Sequence, residues 1–166
     1  MQTRLLWLVL ALAAGPTGAG ALSTDREQPV RIDAGSASLD HQNRIATYRG
    51  DVVIVRGSLR ITGDLVTMRF DEGYDLATLV AEGEPAQFEQ RLDSGPMQKG
   101  EATRIEYQVE DGAMIFIGSA QIAQGEFRMR AERIDYDSVT GSIQGVGDEA
   151  ESEGPRVTIT LQGEKK

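Results

Sequence analysis

The sequence predicts an all-β protein, an open two-sheet β-jelly-roll of serial short antiparallel strands with an internal repeat. Three observations predict it. Apolar and polar residues alternate at period two through most of the chain, the mark of strands buried on one face. Turn-forming clusters cut the chain at short intervals. Aromatic residues are scarce, 5%, and glycine is abundant, 19 of 166 residues, which suits short strands and tight turns better than helices. No window carries a 3.6-residue apolar stripe of helix length.

The first segment, 1–21, reads as a secretory signal peptide. Arg4 gives a positive start, Leu5 to Ala14 is an apolar run, Gly15-Pro16 breaks it, and Ala19-Gly20-Ala21 is a small-x-small cleavage site. The alternative is an uncleaved anchor. A ten-residue apolar helix spans only about 15 Å, against a hydrocarbon core of roughly 30 Å. No Cys follows the cleavage site to carry a lipid. The expected product is a single exported domain, 22–166, which in a bacterium means the periplasm.

Alternating runs follow in order at Pro29–Ala34, Ala46–Val55, Leu59–Ile61, Gly63–Phe70, Leu76–Ala81, Pro85–Gln90, Ala102–Val109, Met114–Ile122, Phe127–Met129 and Arg156–Leu161. With the segments between them, they suggest a dozen or more short strands. Turn signals stand at His41-Gln42-Asn43, Asp71-Glu72-Gly73, Asp93-Ser94-Gly95-Pro96, Glu110-Asp111-Gly112 and Asp148 through Pro155. Gly83-Glu84 and Gly100-Glu101 also read as turns. Two sheets have to face each other so that each buries its apolar side.

Shifting the chain by 68 residues superposes one pattern on itself without gaps. Tyr48-Arg49-Gly50 meets Phe116-Ile117-Gly118, Ile54 meets Ile122, and Gly57 meets Gly125. Leu59-Arg60-Ile61 meets Phe127-Arg128-Met129, Val66 meets Ile134, and Met68 meets Tyr136. Gly50 and Gly118 fall mid-strand among inward positions. A glycine there marks a bulge or bend, and repeated at one level it curls the sheet into a trough.

Charge and composition exclude several functions. The chain carries 17 basic and 26 acidic residues, net −9, and loss of Arg4 with the leader takes this to about −10. That surface repels nucleic acid and anionic bilayers. There is no Cys and a single His, which excludes thiol nucleophiles, disulfide scaffolds and zinc sites built from Cys or several His. His41 lies in a polar turn. No nucleophile elbow or phosphate loop is present. Asp64, Glu132 and Asp135 lie at strand starts or on outward positions. A carboxylate pair for sugar hydrolysis and a calcium site in 148–153 are minor alternatives to a solvated acidic surface. No catalytic residue, metal or cofactor is implied.

The inward column is apolar and of mixed size, and Met68, Met114 and Met129 are adaptable packers. It suits either a closed core or a groove for flexible hydrocarbon. The first and last alternating strands lie at opposite ends of a serial stack and leave edges. Such edges either accept a partner strand or are blunted by Pro29, Arg31 and Arg156. An N-terminal edge meeting the C-terminal edge of another copy propagates into an open filament.

Gln28-Pro29-Val30-Arg31-Ile32-Asp33-Ala34 with Ser36-Ala37 and Leu39-Asp40, Tyr48 through Ile61, Gly63-Asp64 with Val66, Gly83 through Phe88 and Gly118 through Ile122 resemble, in order and spacing, the LptA (OstA-like) family of periplasmic lipopolysaccharide-transport proteins. The resemblance covers roughly 28–161. It implies a jelly-roll that holds the acyl chains of lipopolysaccharide between its sheets and stacks head to tail across the periplasm. An LptC-like protein would meet the N-terminal edge and an LptD-like translocon the C-terminal edge. On this reading the lipid-binding residues are Val30, Ile32, Tyr48, Ile54, Ile61, Met68, Phe116, Ile122, Met129 and Tyr136. The alternatives are an LptC-like component, which the cleavable leader disfavours, and a closed-core structural or adhesive β-protein.

Overall fold

The computed structural model describes Asp25 and residues 28–93, 95–147 and 156–161. These form ten strands: β1 (Arg31–Asp33), β2 (Ser36–Asp40), β3 (Ile45–Arg56), β4 (Leu59–Phe70), β5 (Leu76–Arg91), β6 (Met97–Gln108), β7 (Ala113–Gln124), β8 (Phe127–Asp137), β9 (Ile143–Val146) and β10 (Thr158–Leu161). All pairings are antiparallel. The central strands follow one another in chain order from β3 to β8. At the N-terminal end β1 and β2 pair with the two halves of β3, and at the C-terminal end β10 and β9 pair with the two halves of β8.

Among the described residues the expectation of a dozen or more short strands is corrected to ten, because six of them run for 11 to 16 residues. The Gly83-Glu84 and Gly100-Glu101 signals fall inside β5 and β6 and do not end them, and Gly63, expected to open a run, lies inside β4. Where the neighbouring strand bulges at the same level, a glycine bends a strand without breaking its ladder. Register shifts occur at one level across the sheet, at Arg49/Val52, Thr62/Leu65, Glu82/Ala86, Glu101/Arg104 and Ile117/Ala120. This line of bulges folds the sheet into two leaves. The first leaf holds β2, β9 and the halves 45–49, 65–70, 76–82, 104–108, 113–117 and 133–137. The second holds β1, β10 and the halves 52–56, 59–63, 86–91, 97–101, 120–124 and 127–131.

The repeat is real in backbone geometry. Gly50 and Asp51 have φ of 82° and 46°, and Gly118 and Ser119 have 80° and 50°. Each pair places two residues in the left-handed region, where glycine and short polar residues are best tolerated. Gly57 and Gly125, with φ of 59° and 56°, open the two-residue turns between β3 and β4 and between β7 and β8. Gly50 itself is exposed and Gly118 half-buried. Neither points into the core as strict alternation implies, because the bulge absorbs both.

On the turns of the first leaf, aspartates accept backbone N–H groups. Asp40 takes Gln42 and Asn43, Asp71 takes Gly73 and Asp75, and Asp137 takes Val139 and Thr140. These side chains supply hydrogen bonds that the ladder cannot give to turn amides. The expected turn and calcium alternative at 148–155 lie outside the described residues.

Candidate functional site

The inner faces of the leaves carry apolar residues in registered rows. In the first leaf, Ala37, Tyr48, Val66, Ala81, Ile105, Phe116, Ile134 and Gly145 are consecutive cross-strand partners. A parallel row runs Leu39, Ala46, Met68, Leu79, Tyr107, Met114, Tyr136 and Ile143. In the second leaf the row is Ile32, Ile54, Ile61, Phe88, Gly100, Ile122, Met129 and Ile159. Each row crosses eight strands, from the N-terminal to the C-terminal edge of its leaf.

The leaves meet face to face in the middle. Phe88 of the second leaf and Phe116 of the first stack edge to face, with centroids 6.1 Å apart, and Phe116 is 0% exposed. The Phe116 ring lies over Gly100, where an added Cβ would come within 2.8 Å of Cζ. Towards the C-terminal end, Gly145 packs against Met129 in the same way. At the two ends the inner rows reach solvent: Leu39 is 61% exposed, Ile159 55% and Leu161 74%. The slot is therefore shut at its centre and ends in greasy rims at both edges.

Of the residues expected to bind lipid, Ile54, Ile61, Met68, Phe116, Ile122, Met129 and Tyr136 are buried in this core, and Ile32 and Tyr48 pack against it half-buried. Val30 lies just before β1 and is 49% exposed. The sequence reading omitted the middle of the slot, Leu79, Ala81, Phe88, Ala102 and Ile105, all buried. Alternation in 85–90 points to Phe88. Nothing marks the inward turn of Gln98 and Gly100, because a polar residue and a glycine carry no apolar signal.

At the sides opposite the bulge line, the inner face becomes polar. Gln90, Gln98 and Gln124 are cross-strand partners on β5, β6 and β7. Gln98 is 0% exposed, and neither its Oε1 nor its Nε2 has a hydrogen-bond partner. The Tyr136 hydroxyl faces it from the other leaf. Burial raises that phenol's pKa, and the neighbouring Gln98 amide offsets part of the rise. Beside them the Asp25 carboxylate accepts from the Ser58 N–H at 2.9 Å and the Ser58 hydroxyl at 2.6 Å, and Gln90 Nε2 lies 3.4 Å from it.

The outer faces are charged. Arg104 bridges Glu106 at 2.7 Å and Glu82 at 2.6 Å, and Glu106 first, then Glu82, holds its pKa above the usual arginine value. Lys99 meets Glu89, and Arg133 meets Asp135. A depression of about 430 Å³ on the outside of the second leaf is walled by Glu89, Lys99, Glu101, Arg128 and Arg130, which do not suit hydrocarbon. His41 is exposed in its turn. Among the described residues no cluster of three or more His, Asp or Glu is placed to hold a metal.

The family model for the LptA/(LptD N-terminal domain) LPS transport protein matches residues 31–142. The chain belongs to this family. Among its relatives, the lipopolysaccharide export system protein LptH of Pseudomonas aeruginosa is 34% identical over 161 residues, 95% of this chain and 92% of the relative. LptA of Escherichia coli K12 is 28% identical over 157 residues, 94% of this chain and 83% of the relative. The crystal structure of the Pseudomonas LptH superposes with a TM-score of 0.76 at 31% identity, covering 84% of this chain and 99% of that one. It is described as the LptA-homologous periplasmic component of a lipopolysaccharide transport device. The LptA/LptD N-terminal family is one of transport proteins, not enzymes.

Proposed function

We propose that this chain is a periplasmic carrier that bridges the inner and outer membranes, taking the acyl chains of lipopolysaccharide between its leaves and passing them along a head-to-tail stack. The observation that carries the reading is the set of apolar inner rows, continuous from one edge of the molecule to the other and exposed at both ends. Each methylene withdrawn from water contributes about 0.8 kcal/mol, so a few acyl chains supply a large driving force. The closed centre sets the mechanism. An entering chain has to part contacts such as Phe88–Phe116, with the bulge line acting as the hinge. Burial of the chain then offsets the lost packing, and neighbouring copies of equal affinity let the ligand move without stalling.

Each leaf has eight strands, so its first and last strands run in opposite directions. When the C-terminal edge of one copy meets the N-terminal edge of the next, both joints are antiparallel, β10 to β1 and β9 to β2. A register that keeps the inner rows continuous sets Ile159 opposite Ile32 of the next copy, and Ile143 opposite Leu39. The same edges would receive the terminal partners, an LptC-like protein at β1 and β2 and an LptD-like translocon at β9 and β10.

Delipidated protein titrated with fluorescently labelled lipopolysaccharide tests the carrier reading. Saturable binding that unlabelled lipopolysaccharide displaces is expected. A closed structural β-protein would show none.

A further inference from the structure

The carrier reading accounts for the apolar rows but not for Gln98. Its carboxamide is wholly buried on the inner face, with donor and acceptor both unpaired, in a polar row with Gln90 and Gln124 at the margin of the apolar rows. Its flanking residues do not relieve it. Gln90 is turned towards Asp25, and the Tyr136 hydroxyl stands close enough for the Gln98 amide to offset part of the burial-driven rise in the phenol's pKa, yet neither Gln98 atom makes a hydrogen bond of full geometry. An unpaired buried amide destabilises the protein, and a leucine of similar size would pack there without that loss. Ile122 and Ile61, on the same leaf, show that such residues are accommodated nearby.

We propose that Gln98 is a polar reader in the slot, which selects acyl chains bearing a hydroxyl group. This rests on the carrier reading and deepens it. Oε1 accepts and Nε2 donates, side by side on one planar group. A hydroxyl does both, so a single hydroxyl satisfies both orphan atoms. A carbonyl only accepts, and a methylene does neither. Gln98 is the second residue of β6, on the side of the leaf away from the bulge line, so a chain entering between the margins of the leaves would pass it before the Phe88–Phe116 centre. A group carried a few carbons from the headgroup would come to rest there, while the remaining hydrocarbon reaches the Phe88–Phe116 centre.

The test uses tetradecanoic acid and 3-hydroxytetradecanoic acid as competitors against a fluorescent fatty acid on the delipidated full-length protein. The wild type is expected to bind the hydroxy acid about three- to tenfold more tightly, the range one net hydrogen bond gives. Gln98→Leu is expected to bind both acids alike and to unfold at higher urea. Equal binding of the two acids by the wild type would overturn the reader and leave the carrier intact, with Gln98 then serving packing or a trapped water. Binding of neither acid would overturn the reader, and the lipopolysaccharide titration decides the carrier reading separately. Discrimination that persists in Gln98→Leu would move the reader to another residue, and Tyr136→Phe would then identify it.

Discussion

The Phe116 ring rests directly on the backbone of Gly100, across the slot between the leaves. A side chain at Gly100 would occupy the same space, since its Cβ would lie 2.8 Å from the ring Cζ. One residue is a large, fully buried filler of the first leaf and the other an absence on the second, and together they set how closely the leaves approach. Gly100→Ala is therefore expected to force Phe116 off its seat and destabilise the fold by about 1–3 kcal/mol. Phe116→Ala leaves a void and is expected to cost about 3–5 kcal/mol. Urea denaturation of both variants checks this, and the double variant should lose less than the sum, because the pair is one contact.

The two glycine bulges are equivalent in φ but not in surroundings. A Cβ at Gly50 meets only ordinary contacts at 3.6 Å or more, whereas at Gly118 it falls 2.8 Å from Thr103 Oγ1. Gly50→Ala is expected to lose about 1–2 kcal/mol through the left-handed backbone alone, and Gly118→Ala more. Adding Thr103→Ala to Gly118→Ala should recover part of the excess, since it removes the Oγ1 at 2.8 Å and leaves the Thr103 Cβ at 3.0 Å. Equal losses at the two glycines would show that backbone strain alone decides.

Stability should fall in acid in a particular window. The Asn43 side chain and then the turn amides hold the Asp40 carboxyl below its ordinary value, and the Thr140 N–H and hydroxyl, then the Val139 N–H, do the same for Asp137. A depressed folded pKa contributes stability that is present above the unfolded value, near 3.9, and is lost as pH falls through the folded values beneath it. The gap in urea midpoint between wild type and an Asp40→Ala/Asp137→Ala variant should be constant from pH 7 to 5 and narrow as pH falls below about 4. A gap that does not narrow as pH falls would contradict this account.

The absence of cysteine gives a clean background for testing the stack. Ile32→Cys with Ile159→Cys is expected to give a ladder of disulfide-linked multimers under mild oxidation, as is Leu39→Cys with Ile143→Cys. Arg31→Cys with Ile159→Cys is one residue out of register and should give much less. Equal ladders from all three pairs would mean that the contacts are collisional.

Much of this architecture is legible in the sequence because it is written in period two. Tyr48 and Phe116, with Ile54 and Ile122, are readable as inward in both copies of the repeat, and Gly50 and Gly118 as the places where the sheet turns. Burial that arises from the opposite leaf was not legible. Gly100 is inward because Phe116 sits on it, and Gln98 because Tyr136 and the margin of the first leaf cover it. Neither has an apolar side chain to announce the fact, so the opening of β6 reads as a turn. The closed centre of the slot was hidden for the same reason, since alternation says which way a side chain points and not what it touches.

Tyr48 and Arg49 are adjacent on β3, one half-buried on the inner face and the other exposed on the outer. A photo-crosslinking residue placed at each, in cells making lipopolysaccharide, tests the carrier account most directly. The account predicts a lipopolysaccharide adduct from position 48 and none above background from 49. Equal adducts at both, or adducts from 49 alone, would contradict it.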